Sequence, residues 1–167
     1  MRHTPTSISF HVLAVVWFGI MAGFFCTYSF NVNFATQQMD GATYAVVQSS
    51  LNRNVRHSLF FVFFFLAPLW CVLAIALDWQ RRGWHLCLAV AALLYVGGII
   101  FLTREVNLPL NAYTESWNPD ALPSDWEPTR RAWSQANMWR SAASATAFVL
   151  SVLALALRGH GTPARSS

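Results

Sequence analysis

Glu105, His57 and Arg140 are the side chains of this 167-residue sequence best suited to pass a proton and hold a developing negative charge. A carboxylate or imidazole beside a weakly acidic C–H bond can take its proton, and a guanidinium shielded from water can stabilise the oxyanion left behind. Asn31, Asn33, Asn52, Asn107, Asn111 and Asn137 add paired donors and acceptors, and Trp133 adds a flat ring for an aromatic body. These are the expected substrate-binding residues. At about 100° per residue, Trp133, Asn137, Arg140, Ser141, Ser144 and Ser151 share one stripe of a helix, and a polar stripe in an oily chain belongs inside a bundle. Glu105 has Arg140, Arg104 and Arg131 as candidate partners, and pairing with Arg140 would leave it less free to act as a base.

Other chemistries find less support. His11 and His85 are the one histidine pair expected at a common depth, and so the one pair that could hold a haem. No H-x-x-x-H or H-x-x-E spacing suggests a metal site, so none is expected and no cofactor is predicted. Cys26, Cys71 and Cys87 fall in apolar runs without a C-x-x-C, which argues against thiol redox chemistry. The +4 net charge comes entirely from arginines scattered in ones and twos, unlike the continuous basic face of a nucleic-acid binder.

The elements that must position these residues are membrane helices. Hydrophobic residues make up 55% of the chain and charged ones 11%. Residues 10–30, 59–77, 84–102 and 136–157 approach or exceed the roughly 20 that a helix needs to cross a bilayer. The fold class expected is all-α, a single integral membrane four-helix bundle over residues 1–167, with an extra amphipathic helix and a long outer loop between helices 3 and 4. Tyr44, Val47, Leu51 and Val55 mark the amphipathic helix, which is expected to run into the second span with little break. Residues 103–135 form the long loop, where Pro109 is expected to prevent helix from Leu108 onward and to leave "NLPLN" extended across the bundle mouth. "SDWE", residues 124–127, has capping-box spacing and starts the fourth helix near Asp125. Gly19 and Gly23 suggest that the first span packs closely on the Ala143, Ala147, Ser151 face of the fourth. Gly98 leaves a gap one heptad below Glu105, which is expected to floor a polar cavity. Pro68 is expected to kink the second span, and residues 158–167 to form a flexible tail. The first run is too long for a signal core and has no Ala-x-Ala site after it, so it reads as a retained helix. By arginine density in the flanks, both termini are cytoplasmic and the chain lies in the cytoplasmic membrane. The small-residue faces leave room for a homo-oligomer.

"FFCTYSFNVN" ending the first span, "VQSSLNRNVRH" before the second, "TREVNLPLN" after the third and "PSDWEPTRRAWSQANMWRS" leading into the fourth together resemble the anthrone-oxygenase-like family of small four-helix membrane proteins. The resemblance implies oxygenation of an activated aromatic methylene, as in conversion of an anthrone to an anthraquinone, without a classical organic cofactor, on a lipophilic aromatic small molecule. It assigns Asn107, Pro109 and Asn111 to the family's loop and Trp126, Trp133, Asn137 and Arg140 to its fourth-helix start. His57 departs from the pattern, where asparagine is expected. The alternative function is a non-enzymatic membrane subunit or small-molecule binder with a structural polar network.

Overall fold

The protein is described here from a computed structural model covering residues 5–80 and 83–160. Arg2, Arg81, Arg82 and Arg165, four of the flank arginines behind the expected orientation, lie outside the described residues, as does His3. Every regular element among those described is helical, and four rods are long and apolar enough to cross a membrane: Pro5–Gln37, Ser58–Ala76, His85–Glu115 and Trp126–Gly159. The chain is an all-α integral membrane bundle, because a backbone without water must satisfy its amides and carbonyls within each segment.

The first rod is α1 (Pro5–Thr27), a π-helical turn Tyr28–Val32 and α2 (Asn33–Gln37). The amphipathic helix α3 (Gly41–Asn54) starts at Asp40, whose carboxylate accepts from the Thr43 amide at 3.0 Å and caps the helix. Its buried face is more polar than the sequence suggests. Tyr44, Gln48 and Asn52 turn inward, whereas Val47, Leu51 and Val55 are only half-buried. Nor does α3 run into α4 (Ser58–Ala76), because His57 adopts an extended conformation between them and caps the second span.

The third rod departs most from expectation. It continues from α5 (His85–Tyr95) through two π-helical segments, Val96–Phe101 and Thr103–Asn107, into α6 (Leu108–Glu115). "NLPLN" is therefore helical. Pro109 occupies the first turn of α6, where the change from π-helical to α-helical bonding leaves an amide position that proline can fill. The long outer loop shrinks to residues 116–125. Beyond it, α7 (Trp126–His160) begins as expected, with the Asp125 carbonyl accepting from the Thr129 amide at 3.0 Å. The Asp125 carboxylate does not cap α7 but accepts from the Tyr113 hydroxyl at 2.9 Å, tying the loop to α6.

The four rods form a ring in which α1 packs on α4 and α7, and α5 packs on α4 and α7. Ala67, Cys71, Ala74, Ala91, Ala147 and Ala154 are buried where helices cross, and Phe18, Phe25, Phe64, Leu88, Tyr95 and Ile99 fill the core between them. The first and fourth spans do pack together. A Cβ at Gly19 would lie 3.1 Å from the Phe148 ring, while one at Gly23 would meet nothing within 4 Å. Gly98 floors no cavity, because Ala143 of α7 occupies the space its missing side chain leaves, 2.5 Å from where a Cβ would stand. Pro68 sits within a continuous α4. Proline cannot supply an amide to the carbonyl four residues earlier, and here the buried Tyr95 hydroxyl donates to that carbonyl, on Phe64, at 3.0 Å.

At the opposite end from α3 and α6, Arg158 is 3% exposed, so the tail begins later than residue 158. Its guanidinium donates to the Ser7 carbonyl at 3.1 Å, the Ser7 hydroxyl at 2.7 Å and the Asp78 carboxylate at 3.0 Å, and lies 4.3 Å from the Trp84 ring. This cluster joins α1, α7 and the chain on either side of residues 81 and 82. Residues 161–167 of the expected tail lie outside those described.

Candidate functional site

A cavity of about 570 Å³ opens in the half of the bundle that carries α3 and α6. All three π-helical segments supply wall residues, Tyr28 from the first rod and Ile100 and Thr103 from the two segments of the third. A π turn carries an extra residue, so it bulges the rod and turns the following side chains onto a new face. The walls are mostly aromatic and aliphatic: Phe24 and Phe25 from α1, Phe60, Phe61, Phe64 and Phe65 from α4, Ile100 and Leu108 from the third rod, and Trp133 from α7. The phenylalanine run of the second span thus lines a cavity.

Arg140 is the charged group set into this apolar chamber. It is 8% exposed and lies between the Phe25 and Trp133 rings, at 5.0 and 5.6 Å from their centroids. One terminal nitrogen donates to the Thr103 hydroxyl at 3.2 Å and the other to the Asn137 side-chain oxygen at 2.7 Å. Among the described residues its Nε has no hydrogen-bond partner and no carboxylate pairs with it. A guanidinium can only donate, so it fixes the whole network behind it. The Asn137 amide oxygen must face Arg140, and its NH2 then donates to the Ser29 hydroxyl at 3.0 Å. Ser29 and Ser141 share a 2.6 Å hydrogen bond, and Ser141 lies 2.8 Å from the Phe25 carbonyl. With each hydroxyl giving its single proton onward, the chain runs from Arg140 to the α1 backbone and ties α7 to α1.

The rim is polar. Arg56 and Glu115 form an ion pair there. The Trp133 indole donates to the Asn111 side-chain oxygen at 2.6 Å, and Asn52 accepts from Gln48 at 2.9 Å.

The sequence-predicted residues therefore divide. Arg140, Asn137, Trp133, Asn111 and Asn52 all line the cavity. Glu105 does not, because it is exposed, with its carboxylate 3.3 Å from Arg104, and of its three candidate partners it takes the one that turns it outward. Reading a heptad from Gly98 assumed α-helical turns, and the intervening π turns rotate Glu105 off the inner face. His57 is also exposed and off the wall, and its Nδ1 accepts from the Phe60 amide at 3.3 Å as the cap of α4. Asn31 is exposed, and Asn33 is buried but bonds the Ser134 carbonyl at 3.5 Å, away from the cavity. Asn107 is fully buried, yet its amide has no hydrogen-bond partner among the described residues.

Five wall residues with polar atoms were missed: Tyr28, Arg56, Thr103, Arg104 and Glu115. Glu115 lies four residues after Asn111 on the same face of α6, a relation hidden while this stretch was read as an extended strap. His11 and His85 sit at the far end. The Trp84 ring contacts both, at 5.0 and 4.2 Å, and His11 Nε2 lies 3.2 Å from the Ser151 carbonyl. Among the described residues, no three potential metal ligands converge.

The family model described as anthrone oxygenase matches residues 53–150. No curated protein and no solved structure matches the chain. The matched segment carries α4, the third rod and the cavity-lining part of α7, including Arg140, and covers more than half of the sequence. On that match, the chain belongs to the anthrone oxygenase family.

Proposed function

We propose that the protein is a membrane-embedded oxygenase that converts the activated methylene of a lipophilic, anthrone-like aromatic ketone to a carbonyl. One observation carries this reading: Arg140 is buried in an aromatic chamber without a carboxylate partner among the described residues, and is held by neutral groups. A cation kept this way in an apolar site is suited to an oxyanion on a flat aromatic body, because charge stabilisation is strongest where water is excluded.

The substrate's carbonyl oxygen lies against Arg140, with its rings among Phe25, Phe60, Phe64 and Trp133. Loss of a methylene proton gives the enolate, whose negative charge settles on the oxygen beside the guanidinium. Glu115 is the carboxylate on the cavity wall; once the bound substrate parts it from Arg56, it takes this proton role in place of Glu105 and His57. The electron-rich enolate carbon then captures O2, and protonation gives a hydroperoxide. Loss of the remaining C–H proton and cleavage of the O–O bond release water and leave the new carbonyl. One O2 is consumed, one oxygen enters the product and one leaves as water, so no outside reductant is required. Asn137 positions Arg140, while Asn52, Asn111 and Trp133 shape the rim.

The test is oxygen uptake and quinone formation from anthrone by the full-length protein in lipid nanodiscs. Arg140→Ala is expected to lower uptake about 100-fold or more, with Arg140→Lys intermediate. Glu115→Gln should slow turnover, whereas Glu105→Gln and His57→Ala should stay close to wild type. Wild-type uptake in Arg140→Ala would refute the oxyanion role. The rival reading, a structural membrane subunit, draws on the hydrogen-bond chain from Arg140 to the α1 backbone. It predicts that Arg140→Ala lowers stability and that no anthrone is consumed by the native protein.

A further inference from the structure

The wall of the cavity is open on the side that faces lipid. Its exposed apolar residues stand on two banks, Phe61 and Phe65 on α4 and Leu108 and Ala112 on α6. Between the banks the helices part. α4 packs along α5, and the Tyr95 hydroxyl reaches the Phe64 carbonyl at 3.0 Å, but α4 makes almost no contact with the π-helical segments beyond. Phe61 and Phe65 lie three and seven residues into the membrane span, about 5 and 10 Å along α4 from Ser58. The α4 bank of the slit therefore belongs to the apolar span itself. The two ends of the slit differ in chemistry: Arg140 lies in the interior, and Phe61, Phe65, Leu108 and Ala112 form most of the lips, with the exposed Arg104 one turn before Leu108.

We propose that this slit is a lateral port through which a weakly acidic, amphipathic aromatic ligand enters from the surrounding leaflet. Its enolisable or phenolic oxygen leads towards Arg140, and an apolar substituent trails between Phe61, Phe65 and Leu108 into the bilayer. Charge fixes the orientation, since the guanidinium is inside and hydrocarbon is outside. A ligand with a charged trailing group is excluded, because that group would have to rest in lipid. A ligand already dissolved in the membrane reaches the site without crossing the polar rim of Arg56 and Glu115. The port rests on the oxygenase reading only for the ligand's aromatic core, and the route itself can be tested without turnover.

The experiment uses the full-length protein in nanodiscs and a hydroxyanthraquinone, whose phenol supplies the acidic oxygen, carrying an alkyl chain tipped with a diazirine. After illumination, the labelled residues are mapped by mass spectrometry. The expected result is labelling around Phe61, Phe65 and Leu108 that unlabelled alkyl hydroxyanthraquinone competes away and that falls roughly tenfold in Arg140→Gln, where the charge-assisted contact is lost. Competable labelling confined to residues 38–57 or 116–125, or no competable labelling of the native protein, overturns the port. Anthrone uptake measured on the same samples separates the two ideas. Labelling at the slit without uptake sinks the oxygenase reading and leaves the port standing, and uptake with labels elsewhere does the reverse. Leu108→Trp, which narrows the slit, should lower kcat/KM for an alkyl anthrone about tenfold more than for unsubstituted anthrone. An equal loss for both substrates would count against the port.

Discussion

At Arg140 the guanidinium uses its two terminal nitrogens on Thr103 and Asn137, and the partner left unsupplied is an anion. Asn137→Ala should therefore act through Arg140. It frees the guanidinium from α7's own face and leaves Ser29 short of a donor, so activity should fall while Arg140→Lys in the same background adds little further loss. Comparing kcat and KM for the single and double variants checks this coupling. Tyr95→Phe tests a different single atom. Without its hydroxyl, the carbonyl that Pro68 leaves open on Phe64 has no donor, and stability should drop by about 1 kcal/mol in reversible detergent unfolding. At this scale the sequence was informative where one helix held the pattern. Trp133, Asn137 and Arg140 follow each other at helical spacing on α7, so their common face could be read directly. Glu105 and Glu115 could not be told apart in this way, because which of them faces inward depends on the two π segments before α6.

Among elements, Gly98 of the third rod lies tightly against Ala143 of α7. Gly98→Ala must push the helices apart and is expected to cost about 1–3 kcal/mol, whereas Gly97→Ala, with nothing within 4 Å, should be close to neutral. Combining Gly98→Ala with Ala143→Gly should recover most of the loss, and unfolding of all three variants decides it. At the far end, Arg158 and Asp78 form a pair 3% and 10% exposed. Asp78→Ala would leave a buried cation poorly compensated and should destabilise by about 3 kcal/mol. If the bundle is otherwise intact, anthrone uptake at low temperature should persist, because the cluster lies far from the cavity. The existence of these helices was legible from apolar length alone. The continuity of the third rod was not, since Pro109 ends a helix under α-helical rules and π bonding relaxes them.

For the whole molecule, we propose from the even number of membrane-length helices and the arginine-rich short flanks that both termini face the cytoplasm. Reporter fusions at either terminus should be active only in the cytoplasm, and a fusion within residues 116–125 only outside it. The reverse pattern would turn the cavity end inward while leaving its chemistry unchanged. By itself, the sequence determined that the chain is helical and lives in lipid, because hydrocarbon forbids unsatisfied backbone and rewards long apolar runs. It also determined that α7 carries the cation, because one helix's face is a local property. Tertiary structure alone decided that Arg140 has no acid beside it among the described residues, that phenylalanines of α4 wall a chamber, and that Glu115 rather than Glu105 stands at its rim. Those facts depend on how four rods are rotated about their axes, and a single π turn changes that rotation without any signal in residue type.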